Sequence, residues 1–186
     1  MIYTRKGDHG TTDLANGTTT PKTAAEIEAV GALDELNSLT GYLYARLRSL
    51  QEPELEAALA RLRHAQHRLF AIGALAARLP HPQGLPTPAD THDLEQDIDS
   101  ITAETHYRFD GFRLPAGHET ACLTHMARTA CRKAERRLWA VAEPHSSDYD
   151  TALAYLNRLS DWLFMLAVKI NSLTGEQEIM YRSMAL

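Results

Sequence analysis

The chain has 186 residues and a formal net charge of −5, with 44% hydrophobic and 23% charged residues. This length and composition are typical of one globular domain with its own core, and the acidic balance argues against general binding to nucleic acid. The opening residues show no secretory signal, and the longest charge-free apolar stretch, 69–77, is too short to span a bilayer. We therefore expect a single cytoplasmic domain over residues 1–186, without nucleic acid or membrane.

Residues 1–23 are not expected to be helical, because glycines, hydroxyls and charges crowd into 3–13 and Asn16-Gly17 and Pro21-Lys22 follow. Glycines allow several backbone N–H groups to turn toward one point, and hydroxyls and the lysine add donors, which suits a phosphate. The Gly-Lys-Ser/Thr ending of a Walker A loop is missing. Taken alone, a glycine-rich N-terminal segment of this kind is usually an ordinary turn.

Apolar residues recurring at threes and fours predict five helices. They are expected at about 24–50, 54–79, 91–107, 118–141 and 149–173. Thr91 is the expected N-cap of the third helix, and Gly175 is expected to end the fifth. The proline-rich residues 80–90 are expected to form a loop. Five helices joined by short loops favour an all-α, antiparallel five-helix bundle over residues 24–175.

A protein-held metal is not expected. Bundles with two metal ions use Glu-x-x-His motifs, and no glutamate of this chain has a histidine three residues later. His64 and His67 lie one turn apart, but no acidic or thiol partner accompanies them, so surface histidines are the better interpretation. Cys122 and Cys131 lie about 13 Å apart along one helix, beyond disulfide reach, and are expected to be reduced thiols.

The fourth predicted helix carries an unusual row of cations. Arg128, Arg132, Glu135 and Trp139 share one stripe, with Arg136 beside it. Three arginines on consecutive turns repel one another and favour an anion, and planar guanidinium groups match phosphate well. The alternative is a solvated face on which Glu135 is an intrahelical partner.

The roles of two further residues are open at this point. Asp34, on the first helix, is either a surface charge or the counter-ion of an arginine on a neighbouring helix. Phe112 lies in a loop just ahead of the arginine helix, where a phenylalanine usually joins the core.

Five segments in a fixed order carry a family resemblance. They are Tyr3-Thr4-Arg5-x-Gly7-Asp8-x-Gly10-x-Thr12 followed by Lys22, then Val30–Ser38, Phe112–Gly117, Arg128–Arg136 and Tyr155–Asp161. Over nearly the whole chain they resemble the PduO-type ATP:cob(I)alamin adenosyltransferases. Ala116 departs from the Pro-Gly-Gly turn that is more common in the family, and the 80–90 loop and the C-terminal tail are less family-like.

The resemblance implies a homotrimer of ferritin-like, cobalamin adenosyltransferase-type bundles that bind ATP between subunits. It implies transfer of the 5′-deoxyadenosyl group of ATP to the cobalt of cob(I)alamin, with Mg²⁺, giving adenosylcobalamin and triphosphate. The residues it assigns to the nucleotide are Thr4, Arg5, Lys6, Gly7, Gly10, Thr12, Asp13, Lys22, Arg132, Glu135, Arg136 and Asn157. It makes Asp34 and Arg128 an ion pair near the corrinoid site, and it places Phe112 under the corrin.

The same resemblance implies partners. The electron that reduces cobalt must come from a separate reductase, because the sequence has no flavin or iron–sulfur motif. A dependent enzyme that receives the product is a second candidate partner. The alternative function is an ATP-responsive corrinoid carrier that delivers adenosylcobalamin without efficient turnover.

Overall fold

The computed structural model describes residues 3, 5, 7–144 and 146–182. Their main elements are five helices, which confirms the predicted all-α bundle. The helices are α1 Ala25–Arg48, α2 Glu56–Ala76, α3 Pro88–Thr105, α4 Glu119–Trp139 and α5 Ser147–Thr174. A short 3₁₀ turn, Pro53–Leu55, leads into α2. The left-handed Gly175 ends α5 as predicted, because glycine adopts that conformation without a Cβ penalty.

Helix α1 packs between α2 and α4, and α5 packs between α4 and α3. The ion pairs Arg137–Glu28 and Arg46–Glu119 show that α1 and α4 run antiparallel. One face of α4 is apolar and buried throughout. Its members are Leu123, Ala127, Ala134 and Leu138, and the buried Val141 follows just after the helix ends. This burial turns the remaining faces of α4, which carry its cations, toward solvent or toward other helices.

The start of α3 differs from the prediction. Its N-cap is Thr87, not Thr91, because Thr87 and Asp90 form a reciprocal capping box around Pro88. Burial acts to raise the pKa of Asp90, but hydrogen bonds from Thr87, His64 and Arg68 outweigh it and lower the pKa to about 2. The expectation that His64 has no acidic partner was therefore wrong, since its Nε2 lies 2.6 Å from Asp90 Oδ1.

Two small antiparallel strand pairs were not predicted. β1 (Thr11–Asp13) pairs with β2 (Thr19–Pro21), and β3 (Arg113–Leu114) pairs with β4 (Ile179–Met180). The first pair, the N-terminal hairpin, is attached to the end of α2 by a hydrogen bond of 2.9 Å from Ala15 N to the carbonyl oxygen of residue 77. The second pair joins the loop before α4 to the segment after α5.

Both cysteines are free, with Cys131 buried and Cys122 partly buried, as expected. None of the helices in the described ranges is both long enough and apolar enough to cross a membrane.

Candidate functional site

The arginine stripe of α4, defined here as Arg128, Arg132 and Arg136, has no acidic partner within ion-pair distance among the residues described. Arg132 and Arg136 are exposed, and the only hydrogen bond recorded between them runs from Arg136 Nη1 to the Arg132 carbonyl oxygen at 2.9 Å. Arg128 is half-buried, and burial together with the nearby charge of Arg132 lowers its pKa. Its Nε is buried without a hydrogen-bond partner in the described structure. Water can solvate the two exposed arginines, and the row as a whole can bind an outside anion or a carboxylate of a neighbouring molecule.

Glu135 does not balance this stripe in the way the alternative interpretation required. Its Oε1 instead accepts a hydrogen bond of 3.3 Å from Asn157 Nδ2 on α5. Two residues that the family resemblance assigned to the nucleotide therefore meet across the α4–α5 interface, beside the stripe.

The N-terminal hairpin brings several other predicted residues together. Lys22 N donates to the Gly10 carbonyl oxygen at 2.9 Å, and Gly10 has a left-handed φ of 83°. The Lys22 ammonium lies against the Gly7 turn, where a Cβ on Gly7 would be only 3.1 Å from Nζ. The turn therefore combines a cation with backbone groups that glycine allows to approach closely.

The remaining predicted hairpin residues have more local roles. Asp13 Oδ1 accepts a hydrogen bond of 2.6 Å from Thr19 Oγ1 across the strand pair. Thr12, which precedes Asp13 in β1, is half-buried. Arg5 is exposed, with its guanidinium 5.7 Å from the ring centroid of Tyr3. Thr4 and Lys6, also predicted to bind the nucleotide, lie outside the described residues. Within the described ranges, no hydrogen bond or ion pair links the hairpin to the arginine stripe.

Asp34 is exposed and does not pair with Arg128 within the described chain. It lines a 400 Å³ groove between α1 and α2, together with the exposed ring of Phe70. The side of α1 that faces α4 uses Glu28 and Glu35 instead, which bind Arg137 and Lys133. The Asp34–Arg128 pair thus stays a prediction, and one chain alone does not form it.

Phe112 is 74% exposed, so the alternative that it joins the core is wrong. Its ring makes an edge-to-face contact with Phe109 at a centroid distance of 5.8 Å. The Phe112 carbonyl oxygen accepts a hydrogen bond of 2.7 Å from Tyr181 N. The ring is therefore presented to solvent on a backbone that is fixed by strand pairing.

Comparison with known proteins identifies the family. A sequence model of cobalamin adenosyltransferases matches residues 2–170. The chain belongs to the cobalamin adenosyltransferase family. It is 38% identical over 186 residues to a corrinoid adenosyltransferase of Bacillus subtilis, covering 100% of this chain and 94% of that protein. It is 37% identical over 182 residues to a cobalamin adenosyltransferase of Cupriavidus metallidurans, covering 97% and 94% of the two chains.

A solved structure agrees with this assignment. It is a phenylalanine-to-alanine variant of the PduO-type ATP:corrinoid adenosyltransferase from Lactobacillus reuteri, complexed with cobalamin and ATP. The TM-score is 0.84 at 30% identity, and the match covers 98% of this chain and 100% of that chain.

In this member of the family, Asn171 is a residue that sequence reasoning missed. Its buried side chain donates to the Ala116 carbonyl oxygen at 3.1 Å and accepts from His118 N at 3.0 Å, which fixes the turn into α4. Gly117 has a φ of 100°, and a Cβ there would lie 2.2 Å from Asn171 Oδ1, so only glycine fits. Ala116 has no positive φ and is accommodated. The available signal was an asparagine on the mostly apolar inner face of α5.

Proposed function

We propose that this chain transfers the 5′-deoxyadenosyl group of ATP to the cobalt of cob(I)alamin, giving adenosylcobalamin and triphosphate. The observation that carries the proposal is the arginine stripe, whose cations lack acidic partners in the described chain of a cobalamin adenosyltransferase family member. The Lactobacillus reuteri structure, which is complexed with cobalamin and ATP, supports the same pair of substrates.

The reaction needs stabilisation of a leaving group more than it needs a protein nucleophile. An electron pair of Co(I) forms the Co–C5′ bond, the C5′–O bond breaks, and cobalt ends as Co(III). The departing triphosphate carries a high negative charge. Lys22, Arg132 and Arg136 would stabilise that charge as the bond breaks, because preorganised cations act most strongly in a water-poor site.

Mg²⁺ fits this arrangement as an ion that accompanies the triphosphate. It is usually bound by substrate phosphates together with one or two carboxylates, and it keeps several waters. Glu135, held toward Asn157 beside the stripe, would supply a carboxylate oxygen. When bound, the ion would neutralise charge on the leaving group.

We infer that the ATP site is shared between copies in a homotrimer. Three features of one chain support this. The hairpin and the stripe share no hydrogen bond or ion pair within the described ranges, Asp34 lines the α1–α2 groove, and Arg128 Nε is buried there without a partner. Asp34 of one copy would pair with Arg128 of the next, near the corrinoid, and the exposed Phe70 would be covered at the same contact.

Phe112 would act on the reduction of cobalt. Co(II) with an axial ligand is hard to reduce, and an apolar ring below the corrin excludes water and the nucleotide-loop base from that position. Four-coordinate Co(II) then accepts its electron from a separate reductase more readily. A dependent enzyme that takes the product remains a proposed second partner.

We also infer that residues 1–186 act as one domain, with an ATP loop at 1–23 and the bundle at 24–175. The reduced state of both cysteines supports a cytoplasmic location.

The decisive experiment is an anaerobic incubation of the protein with chemically reduced cob(I)alamin, ATP and Mg²⁺. We expect adenosylcobalamin and triphosphate in equal amounts, over many turnovers. A protein that binds both ligands without turnover would be the carrier and would contradict the proposal. Repeating the assay with cobinamide defines the corrinoid range.

Assembly is tested in the same solution. Sedimentation at assay concentration should show a trimer, and a fully active monomer would contradict the shared site.

A further inference from the structure

Arg113 is a largely buried cation next to the exposed Phe112. Its side chain is only 12% exposed. Its Nε pairs with Glu178, its Nη2 lies 3.0 Å from Asp110 Oδ1, and its guanidinium carbon lies 4.6 Å from the ring centroid of Tyr107. Arginine is almost never buried unless its charge is paired. This cluster therefore meets the usual condition for burying the charge.

The guanidinium also binds the backbone of its own loop. Nη2 donates to the Arg108 carbonyl oxygen at 3.4 Å, and Nη1 donates to that of Gly111 at 3.5 Å. The arginine thus gathers residues 107–111 around one group, and Glu178 ties that group to the segment after α5. None of the steps of adenosyl transfer described above uses Arg113 or Glu178.

The geometry of β3 links Arg113 to the ring before it. Successive side chains of a strand point to opposite faces, so an inward Arg113 requires Phe112 and Leu114 to point outward. Phe112 is 74% exposed and Leu114 is 45% exposed, as this alternation requires. The register places Arg113 opposite Met180 of β4. A slip by one residue would exchange the two faces and turn the phenylalanine inward.

We propose that Arg113, held by Glu178, is a positioning residue that directs the Phe112 ring toward the corrinoid. The inference rests on the proposed function and deepens it. Strand pairing fixes the backbone, and the buried ion pair fixes which face of that backbone points outward. The segment that carries Glu178 is therefore part of the corrinoid site.

The test replaces Arg113 by methionine, which keeps a long side chain and removes the charge. Arg108→Met is the matched control, since Arg108 lies in the same loop with an exposed side chain. Electron paramagnetic resonance of Co(II)cobalamin with ATP gives the four-coordinate fraction, and steady-state assays compare turnover from Co(II) with turnover from supplied Co(I).

For Arg113→Met we expect the four-coordinate fraction and the turnover from Co(II) to fall roughly tenfold, as when a group that orients a metal site is lost. Turnover from supplied Co(I) should fall much less, and the KM for ATP should stay unchanged. Arg113→Lys keeps the charge but loses the fork of donors, so it should be intermediate. The Arg108→Met control should match the unmodified protein in every readout.

An unchanged four-coordinate fraction in Arg113→Met overturns the inference. If that variant does not fold, the four-coordinate fraction of Glu178→Gln tests the inference instead, because this change removes the charge that pairs with Arg113 and keeps a hydrogen-bond acceptor. An unchanged fraction there overturns the inference as well. Phe112→Ala distinguishes failure of the proposed role of the ring from failure of the proposed role of Arg113. A Phe112→Ala protein that keeps the full four-coordinate signal contradicts the proposed role of the ring itself. If Phe112→Ala loses the signal and Arg113→Met keeps it, only the positioning role of Arg113 is contradicted.

Discussion

Two faces of α4 carry cations, and they differ in how the charge is balanced. On the paired face, defined by Lys133 and Arg137, each cation meets a carboxylate of α1. Lys133 Nζ lies 2.6 Å from Glu35 Oε2, and Arg137 Nη2 lies 3.5 Å from Glu28 Oε2. On the arginine stripe, no such carboxylate lies within reach among the residues described. The cations of the paired face have carboxylate partners within one chain, and those of the arginine stripe have none in the described part of it.

The difference shows that local charge pattern does not separate structural cations from functional ones. Residues 128–137 contain five lysines and arginines, and nothing in that segment marks which of them are paired. The distinction comes from the neighbouring helix. A cation paired within the chain contributes modestly to folding, whereas a cation without a partner is available to a phosphate or to another copy.

The largest effect is expected from removing the central arginine of the stripe. Arg132→Ala should lose a charge-assisted phosphate contact, at a cost of roughly 1.5–3 kcal/mol. This corresponds to about a 10- to 150-fold fall in kcat/KM for ATP, measured with cob(I)alamin supplied. Because Arg132 is exposed, circular dichroism should show an unchanged bundle. ATP kinetics equal to those of the unmodified protein would mean that the stripe is a solvated face.

A smaller effect is expected from the proposed contact between copies. Asp34→Asn and Arg128→Ala should each slow adenosylation, and their effects should not add, because the second change removes a contact already lost. We expect a coupling energy of about 1–2 kcal/mol in a double-mutant cycle of turnover. The control cycle pairs Asp34→Asn with Lys133→Ala and should be additive. An additive result for the first cycle would show that Asp34 and Arg128 do not meet.

The helices could be predicted because long apolar seams have a clear period. The inner faces of α2, α4 and α5 are apolar seams of this kind, and the fold buries them. Errors arose where a short local signal decided the structure. The capping box of Thr87 and Asp90 lies inside the proline-rich segment and was assigned to the loop, and strands of two or three residues show no period at all.

The site could be predicted only in part. The stripe, including Glu135, follows from the helical period, whereas the assignment of Asn157 and Glu135 to the nucleotide came from the family resemblance. The pairing of Lys133 with Glu35 joins residues 98 positions apart. The close packing of Asn171 against Gly117 joins helix α5 to the loop before α4. No local pattern contains such contacts, because packing creates them.

His125 lies one turn before Arg128 and gives a test by pH. Burial, with a smaller contribution from Arg128, lowers the pKa of His125 to about 4. The unfolded chain binds this proton near pH 6.5, so the stabilising effect of keeping His125 neutral is complete above that pH and is lost as the pH falls toward 4. At pH 5.5 the loss should be about 1.4 kcal/mol.

The measurement is denaturant unfolding at pH 7.5 and 5.5, at a fixed protein concentration. His125→Gln should reduce the fall in stability between the two pH values by that amount. Asp90 does not interfere, because its stabilising effect is lost only below about pH 4, as its carboxylate is protonated. An equal fall in both proteins would show that His125 titrates normally in the folded state.

The smallest effect is expected on the paired face. Lys133→Ala removes an ion pair whose lysine is 47% exposed, so it should lower the free energy of unfolding by about 0.2–1 kcal/mol. High salt should reduce even that difference, because exposed charges are screened. The kcat/KM for ATP should stay unchanged, although Lys133 is the immediate neighbour of Arg132 in the sequence. A loss of ATP turnover as large as that of Arg132→Ala would mean that both faces bind the nucleotide, and pairing within the chain would no longer distinguish structural cations from functional ones.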